Sequence, residues 1–165
     1  MVKILFVCHG NICRSPMAEF VLKDKVNRSG QWDHYVIESA ATSSEELGNS
    51  VYPPAKRTLR SHGIGTTENE LGVGEKHARR ITDDDYEKFD LLIGMDEKNI
   101  RNLKKKYNGD PQGKIHSMME FTDRPGNVAD PWYTGDFEAT WNDVNEGCDG
   151  LLKWLKMMKQ PVWRG

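Results

Sequence analysis

The stretch VKILFVCHGNICRSP, residues 2–16, decides the architecture. From Ile4 to Val7 every position is apolar, so neither face is meant for water, as expected of an interior strand in a parallel sheet. The chain then turns within a few residues. Ser15-Pro16 predicts a helix start, with Ser15 as cap and proline at the first helical position.

Working outward, the same alternation repeats. Ala18, Val21, Leu22 and Val26 form an apolar stripe at helical spacing, ending near residues 27–30. Residues 35–40 predict a second strand, and Pro53-Pro54 opens a helix through Ala55 and Leu59 to His62-Gly63. A short helix over 83–89 leads to a strand over 90–93, a helix over 97–107 and a strand over 114–118. The last helix carries Phe137, Trp141, Val144, Cys148, Leu152 and Leu155 at intervals of three or four. Alternating strands and helices imply an α/β domain with a parallel sheet wrapped by helices, spanning 1–165 as one unit. Residues 65–75 and 123–135 show no periodicity and read as irregular surface segments, the first of them mobile.

Composition narrows the function classes. A chain of 165 residues can bury a core without staples. With 23 lysines and arginines against 25 aspartates and glutamates, the net charge of -2 gives nucleic-acid binding no electrostatic support. No stretch is long enough to span a membrane or to act as a signal segment. Three cysteines, Cys8, Cys13 and Cys148, are a poor disulfide framework and suit a reducing, cytoplasmic compartment. Cys8, Cys13 and His9 lack the second ligand cluster a metal site would need, and no cofactor fingerprint is present.

The turn itself has chemistry in it. In open α/β sheets ligands bind at the carboxyl ends of the strands, where residues 8–14 lie. A five-residue bend from strand to helix turns its backbone N–H groups inward, beside the helix N-terminus, and so forms an anion nest. Arg14 adds a planar fork matched to two phosphate oxygens. Cys8 shares that field, which favours thiolate over thiol. Gly10 supplies backbone freedom, Asn11 can brace the loop, and Ser15 can donate to the sulfur. The pattern C-(x)5-R alone is weak evidence, and its placement between strand and helix is what gives it weight. A thiolate displacing an alcohol or phenol from phosphate also needs a proton donor. In ADPWYTGD, Asp130 precedes a proline that stiffens its loop, and Trp132 and Tyr133 offer flat walls; an ordinary Asp-Pro turn beside core aromatics is the competing reading.

At these residues the sequence resembles the low-molecular-weight protein tyrosine phosphatases, over nearly its whole length. The family loop is matched by Cys8-His9-Gly10-Asn11-Ile12-Cys13-Arg14-Ser15-Pro16 and continues into Met17-Ala18-Glu19. Further matches are Ser39-Ala40-Ala41-Thr42-Ser43, His62-Gly63-Ile64, Ala78-Arg79-Arg80-Ile81-Thr82, Met95-Asp96 and Asp130-Pro131-Trp132-Tyr133. The resemblance implies a single three-layer domain, with a four-stranded parallel sheet flanked by helices and a phosphate-binding loop after the first strand. It implies no metal or cofactor, and hydrolysis in two steps. Carried over, Cys8 is the nucleophile, Arg14 and the loop amides bind phosphate, and Asp130 is general acid and then base. Asn11, Ser15 and Ser39 match a supporting hydrogen-bond network. His9, Gly10, Asn11, Ile12, Cys13, Ser15, Trp132 and Tyr133 would bind substrate. The expected partners are phosphotyrosine proteins or peptides and small aryl phosphates, with inorganic phosphate as product inhibitor and no nucleic acid or membrane. Cys13, in the same loop, is a redox candidate that could capture oxidised Cys8 as a disulfide.

Four positions depart from the family pattern. Ala41 replaces a common glycine, Glu45 or Glu46 stands at a usual tryptophan, Lys76 stands at a usual histidine, and 65–75 is longer than usual. Rival readings remain: an arginine phosphatase, which in this family carries threonine where this chain has Ile12, a thiol-dependent arsenate reductase, and a non-catalytic phosphate-binding module. The arsenate chemistry needs relay cysteines, and none lies between Cys13 and Cys148.

Overall fold

Residues Ile4 to Val7 are fully buried, and their neighbours explain why. They belong to β1 (Val2–Cys8), which pairs in parallel with β2 (Tyr35–Ala41) on one side and β3 (Leu91–Gly94) on the other. β4 (Ile115–Ser117) pairs in parallel with β3, giving the order β2-β1-β3-β4 in the computed structural model, which describes residues 1–159. The tail of the expected unit, residues 160–165, lies outside the described residues.

Alternate residues of β1 feed opposite layers, because successive strand side chains point to opposite faces. Ile4, Phe6 and Cys8 join a core with α1 (Arg14–Arg28), α2 (Pro53–Ser61) and α6 (Phe137–Lys159). Leu5 and Val7 join a second core with α3 (Asp85–Lys88) and α4 (Glu97–Lys106). The result is a three-layer α/β domain. In α6 the buried line is Trp141, Val144, Cys148, Leu151 and Leu155. Leu151 therefore takes the core position expected of Leu152, which is only partly buried. Glycine at 150 is required by contact: a Cβ there would lie 1.9 Å from the Phe121 carbonyl oxygen.

Other expectations change at their edges. The first helix begins at Arg14 with Cys13 as its cap residue, not at Ser15. The Ser15 side chain is drawn to a sulfur instead of to its own helix end, and Pro16 still sits in the first turn, where no N–H is missed. Residues 65–75 are packed, contrary to the mobile loop expected. Asn69 Nδ2 donates to Asp24 Oδ1 and to the Gly63 carbonyl, and Val73 is buried in the first core. Residues 123–135 are likewise organised: Val128 N–H donates to the Met95 carbonyl, and α5 (Pro131–Thr134) closes the segment. Both segments lack periodicity because single side chains, not an amphipathic face, anchor them.

Because β1, β2 and β3 run in parallel and side by side, the segments leaving them converge at one edge of the sheet. Among the described residues no helix is long and apolar enough to cross a membrane.

Candidate active site

At that edge a cavity of about 500 Å³ opens over residues 8–14. His9, Gly10, Asn11, Ile12, Cys13, Trp132 and Tyr133 line it together with Cys8, Arg14 and Asp130, while Ser15 and Ser39 lie fully buried beneath.

The loop bends because Asn11 takes a left-handed backbone, φ 60°, uncommon for a residue with a side chain. Its amide group is fully engaged. Asn11 Nδ2 donates to Ser15 Oγ at 2.7 Å and to Ser39 Oγ at 2.9 Å, and Asn11 Oδ1 accepts from the Arg79 N–H at 3.2 Å. The bend at Asn11 also corrects the reason for Gly10, which has no positive φ. A Cβ on Gly10 would sit 3.2 Å from Glu46 Cγ, so a larger residue there would push the Glu46 side chain aside by a few tenths of an ångström.

These bonds fix the direction of the hydroxyls. Ser15 Oγ accepts from Asn11, which leaves its own hydrogen for Cys8 Sγ, 3.0 Å away. The Asn11 backbone N–H also points at that sulfur, at 3.3 Å. Two donors thus converge on Sγ, an arrangement that suits sulfur both as attacking and as departing group. Ser39 in turn donates to Glu19 Oε1, and Lys23 Nζ donates to Glu19 Oε2 at 2.6 Å. Lys76, delivered by the packed 65–75 segment, donates from Nζ to the Ser39 carbonyl at 2.8 Å and lies 3.5 Å from Glu19 Oε1. Burial holds the Lys76 ammonium below its ordinary value, although Glu19 pulls the other way. The polar floor runs without interruption from Cys8 to Lys76.

Arg14 is buried, and two carboxylates aim it. Its Nη1 donates to Asp96 Oδ2 at 2.7 Å, and its Nη2 stands 3.4 Å from Asp130 Oδ2. Burial disfavours its charge, but Cys8, Asp96 and Asp130 outweigh that and push Arg14 upward. Asp96 caps α4, accepting the Asn99 N–H at 2.8 Å. Burial works against its carboxylate too, yet the bonds from Arg14 and Asn99 hold it below the ordinary aspartate value. Asp130 caps α5, with Oδ1 accepting the Trp132 N–H, so Oδ2 is left to face the cavity.

The mouth is more open. Trp132 is 57% and Tyr133 85% exposed. Trp132 leans on Tyr52 at 5.3 Å between ring centroids, and the Tyr52 N–H bonds the Ile12 carbonyl. His9 Nε2 pairs with Glu45 Oε2 at 3.0 Å. Cys13 packs with Ile12 and Ala78, and burial, then the nearby Cys8, pushes its thiol up to about 12. Cys148 is fully buried in α6, bonded to the Ala18 carbonyl.

The structure brings every expected site residue together and adds Glu19, Tyr52, Lys76, Asp96, Lys98 and Asn99. Glu19 and Asp96 stand inside motifs already visible in the sequence, and Lys76 was visible as a departure. Tyr52 gave no signal beyond preceding a proline pair. Among the described residues, no group of three or more His, Cys, Asp or Glu is placed to hold a metal ion.

The chain matches the profile of the low molecular weight phosphotyrosine protein phosphatase family over residues 3–161. The low molecular weight phosphotyrosine protein phosphatase of Sus scrofa is 37% identical over 155 residues, covering 91% of this chain and 93% of that one. The crystal structure of YfkJ from Bacillus subtilis superposes with a TM-score of 0.87 at 31% identity, covering 97% of this chain and 98% of that chain. A Drosophila arginine phosphatase superposes at 0.82 with 27% identity, covering 98% of this chain and 100% of that chain.

Proposed function

This chain belongs to the low molecular weight phosphotyrosine protein phosphatase family and is a phosphatase, and we propose that it hydrolyses phosphotyrosine through a phosphate carried on Cys8. In the first step Cys8 Sγ attacks phosphorus in line with the ester oxygen. The S–P bond forms, the P–O bond breaks, and the departing phenol oxygen takes a proton from Asp130. The Arg14 fork and the inward N–H groups of the loop hold the three remaining oxygens as charge develops on them. In the second step the Asp130 carboxylate takes a proton from water. That water attacks phosphorus, and sulfur leaves with Ser15 and the Asn11 N–H donating to it. Inorganic phosphate is released and inhibits by occupying the same loop.

The observation that carries this reading is the convergence on Cys8 Sγ of two donors, with Arg14 beside it and an Asp130 oxygen 3.4 Å from Arg14. A binding module without chemistry has no use for a sulfur so equipped. An arsenate reductase is disfavoured because Cys148, fully buried in α6, cannot relay oxidising equivalents. All three cysteines are free thiols, consistent with action in a reducing, cytoplasmic compartment.

For substrate, the aromatic walls Trp132 and Tyr133 and the apolar Ile12 favour a phenyl ring over a guanidinium, whose N–H groups need partners. The fold itself does not discriminate, since an arginine phosphatase shares it. Matched peptides carrying phosphotyrosine, phosphoserine and phosphoarginine, compared by kcat/KM, test the choice. Phosphotyrosine is expected to lead, with p-nitrophenyl phosphate also turned over. A lead for phosphoarginine or phosphoserine would contradict it, and Ile12→Thr shows whether that side chain sets the preference.

A further inference from the structure

The two sides of the cavity mouth differ in their charged side chains: Glu45 and Glu46 line one, and Lys98, with Asp96 and Glu97 before it, stands on the other. β2 and β3 lie on opposite sides of β1, so the segments leaving them flank the loop at 8–14 from opposite sides. The segment after β2 brings Glu45 and Glu46 to the rim, and the segment after β3 brings Lys98. Asn49 and His9 hold the two glutamates in place at short range. Lys98 is the second residue of α4, after the exposed Glu97, and the buried residues of that helix are Asn99 and Leu103. The opposite surface of that helix leaves Lys98, Arg101, Lys104 and Lys105 exposed. Lys98, Arg101 and Lys105 share one side at spacings of three and four, in a line of about 10 Å running back from the rim. Of the basic residues in α4, Lys106 alone has an ion-pair partner among the described residues, Asp83.

We propose that this mouth reads the charge order of the segment bearing the phosphotyrosine, and so rests on the substrate reading above. Residues on one flank are acidic and lie along Lys98, Arg101 and Lys105. Residues on the other flank are basic or neutral and pass beside Glu45 and Glu46. The dimensions agree: three extended residues span about 10 Å, the length of the basic line. A uniformly acidic or uniformly basic peptide meets like charge on one wall, which costs binding. The two ends of the segment are therefore distinguished by sign, not only by net charge.

The test uses two peptides of identical composition, Asp-Asp-Asp-pTyr-Lys-Lys-Lys and its reversed order, alongside p-nitrophenyl phosphate. Equal net charge removes any effect of overall attraction. One order is expected to exceed the other by about three- to tenfold in kcat/KM at low salt, the ratio falling toward one as salt screens it. Arg101→Glu with Lys105→Glu should erase or invert the ratio while p-nitrophenyl phosphate hydrolysis stays unchanged, which also shows that the variant is folded. Equal rates for both orders would overturn the proposal, as would a ratio that survives in the double variant. Absence of p-nitrophenyl phosphate hydrolysis by the unaltered protein would instead overturn the phosphatase reading, and this proposal with it.

Discussion

On the floor of the cavity, Asn11, Ser15 and Ser39 are at most 1% exposed and spend their hydrogen-bonding capacity on one another, on Cys8 and on Glu19. At the mouth, Trp132 and Tyr133 stand mostly in solvent, and the His9–Glu45 pair there is exposed on both sides. The two regions lie a few residues apart in the same cavity yet follow different rules. A buried network has no water to replace a lost partner, so each deletion leaves an orphan. An exposed rim exchanges partners with solvent at little cost. Changes to the floor should therefore act on chemistry, and changes to the mouth on selection.

The contrast can be pressed at three points, beginning with the largest effect. Asp130 bridges both regions, capping α5 at the mouth while its Oδ2 faces Arg14. Asp130→Ala should lower kcat by about 10²- to 10⁴-fold, with a smaller loss for leaving groups that need no protonation. An effect independent of leaving-group pKa would place Asp130 with the structural caps. Asp96 comes next, because it aims Arg14 from below. Asp96→Asn should cost about 10- to 100-fold in kcat/KM, the scale of one charge-assisted bond. Its folded carboxyl is held low, so its stabilising contribution is fully present above about pH 4 and is lost as pH falls through the folded value. Urea midpoints of Asp96→Asn and the unaltered protein should differ at pH 7 and converge in acid. The smallest effect belongs to Lys76, three bonds removed from the sulfur. Lys76→Met should reduce kcat by about three- to tenfold and stability by about 1–3 kcal/mol. Shortening 65–75 should do the same, whereas unchanged kcat in both would show that the floor ends at Ser39.

How much of this was legible in sequence follows the same division. The strand at Ile4–Val7 could be read because burial on both faces leaves an unbroken apolar run. The loop could be read because its chemistry lies in seven consecutive residues, Cys8 to Arg14. Asp130 was visible through its proline and aromatic neighbours. The packing of 65–75 was not, since Asn69 bonding Asp24 and Val73 entering the core are single long-range contacts with no periodicity. Glu19 and Asp96 were in view as letters of a motif without a role, because their work depends on Ser39 and Arg14, 20 residues and 82 residues away in the chain. Ser15 reads both as a cap and as a donor to the sulfur, and the structure keeps only the second role, because the cysteine seven residues back takes its hydroxyl.

In the proposed mechanism the sulfur of Cys8, held by two donors, takes the phosphate. Rapid mixing with p-nitrophenyl phosphate, acid quenching and mass spectrometry of the digested protein tests it most directly. A phosphate adduct confined to the peptide containing Cys8, formed within one turnover and absent from Cys8→Ser, is the predicted result. No adduct at any time, an adduct on His9, or turnover that persists in Cys8→Ser would contradict it.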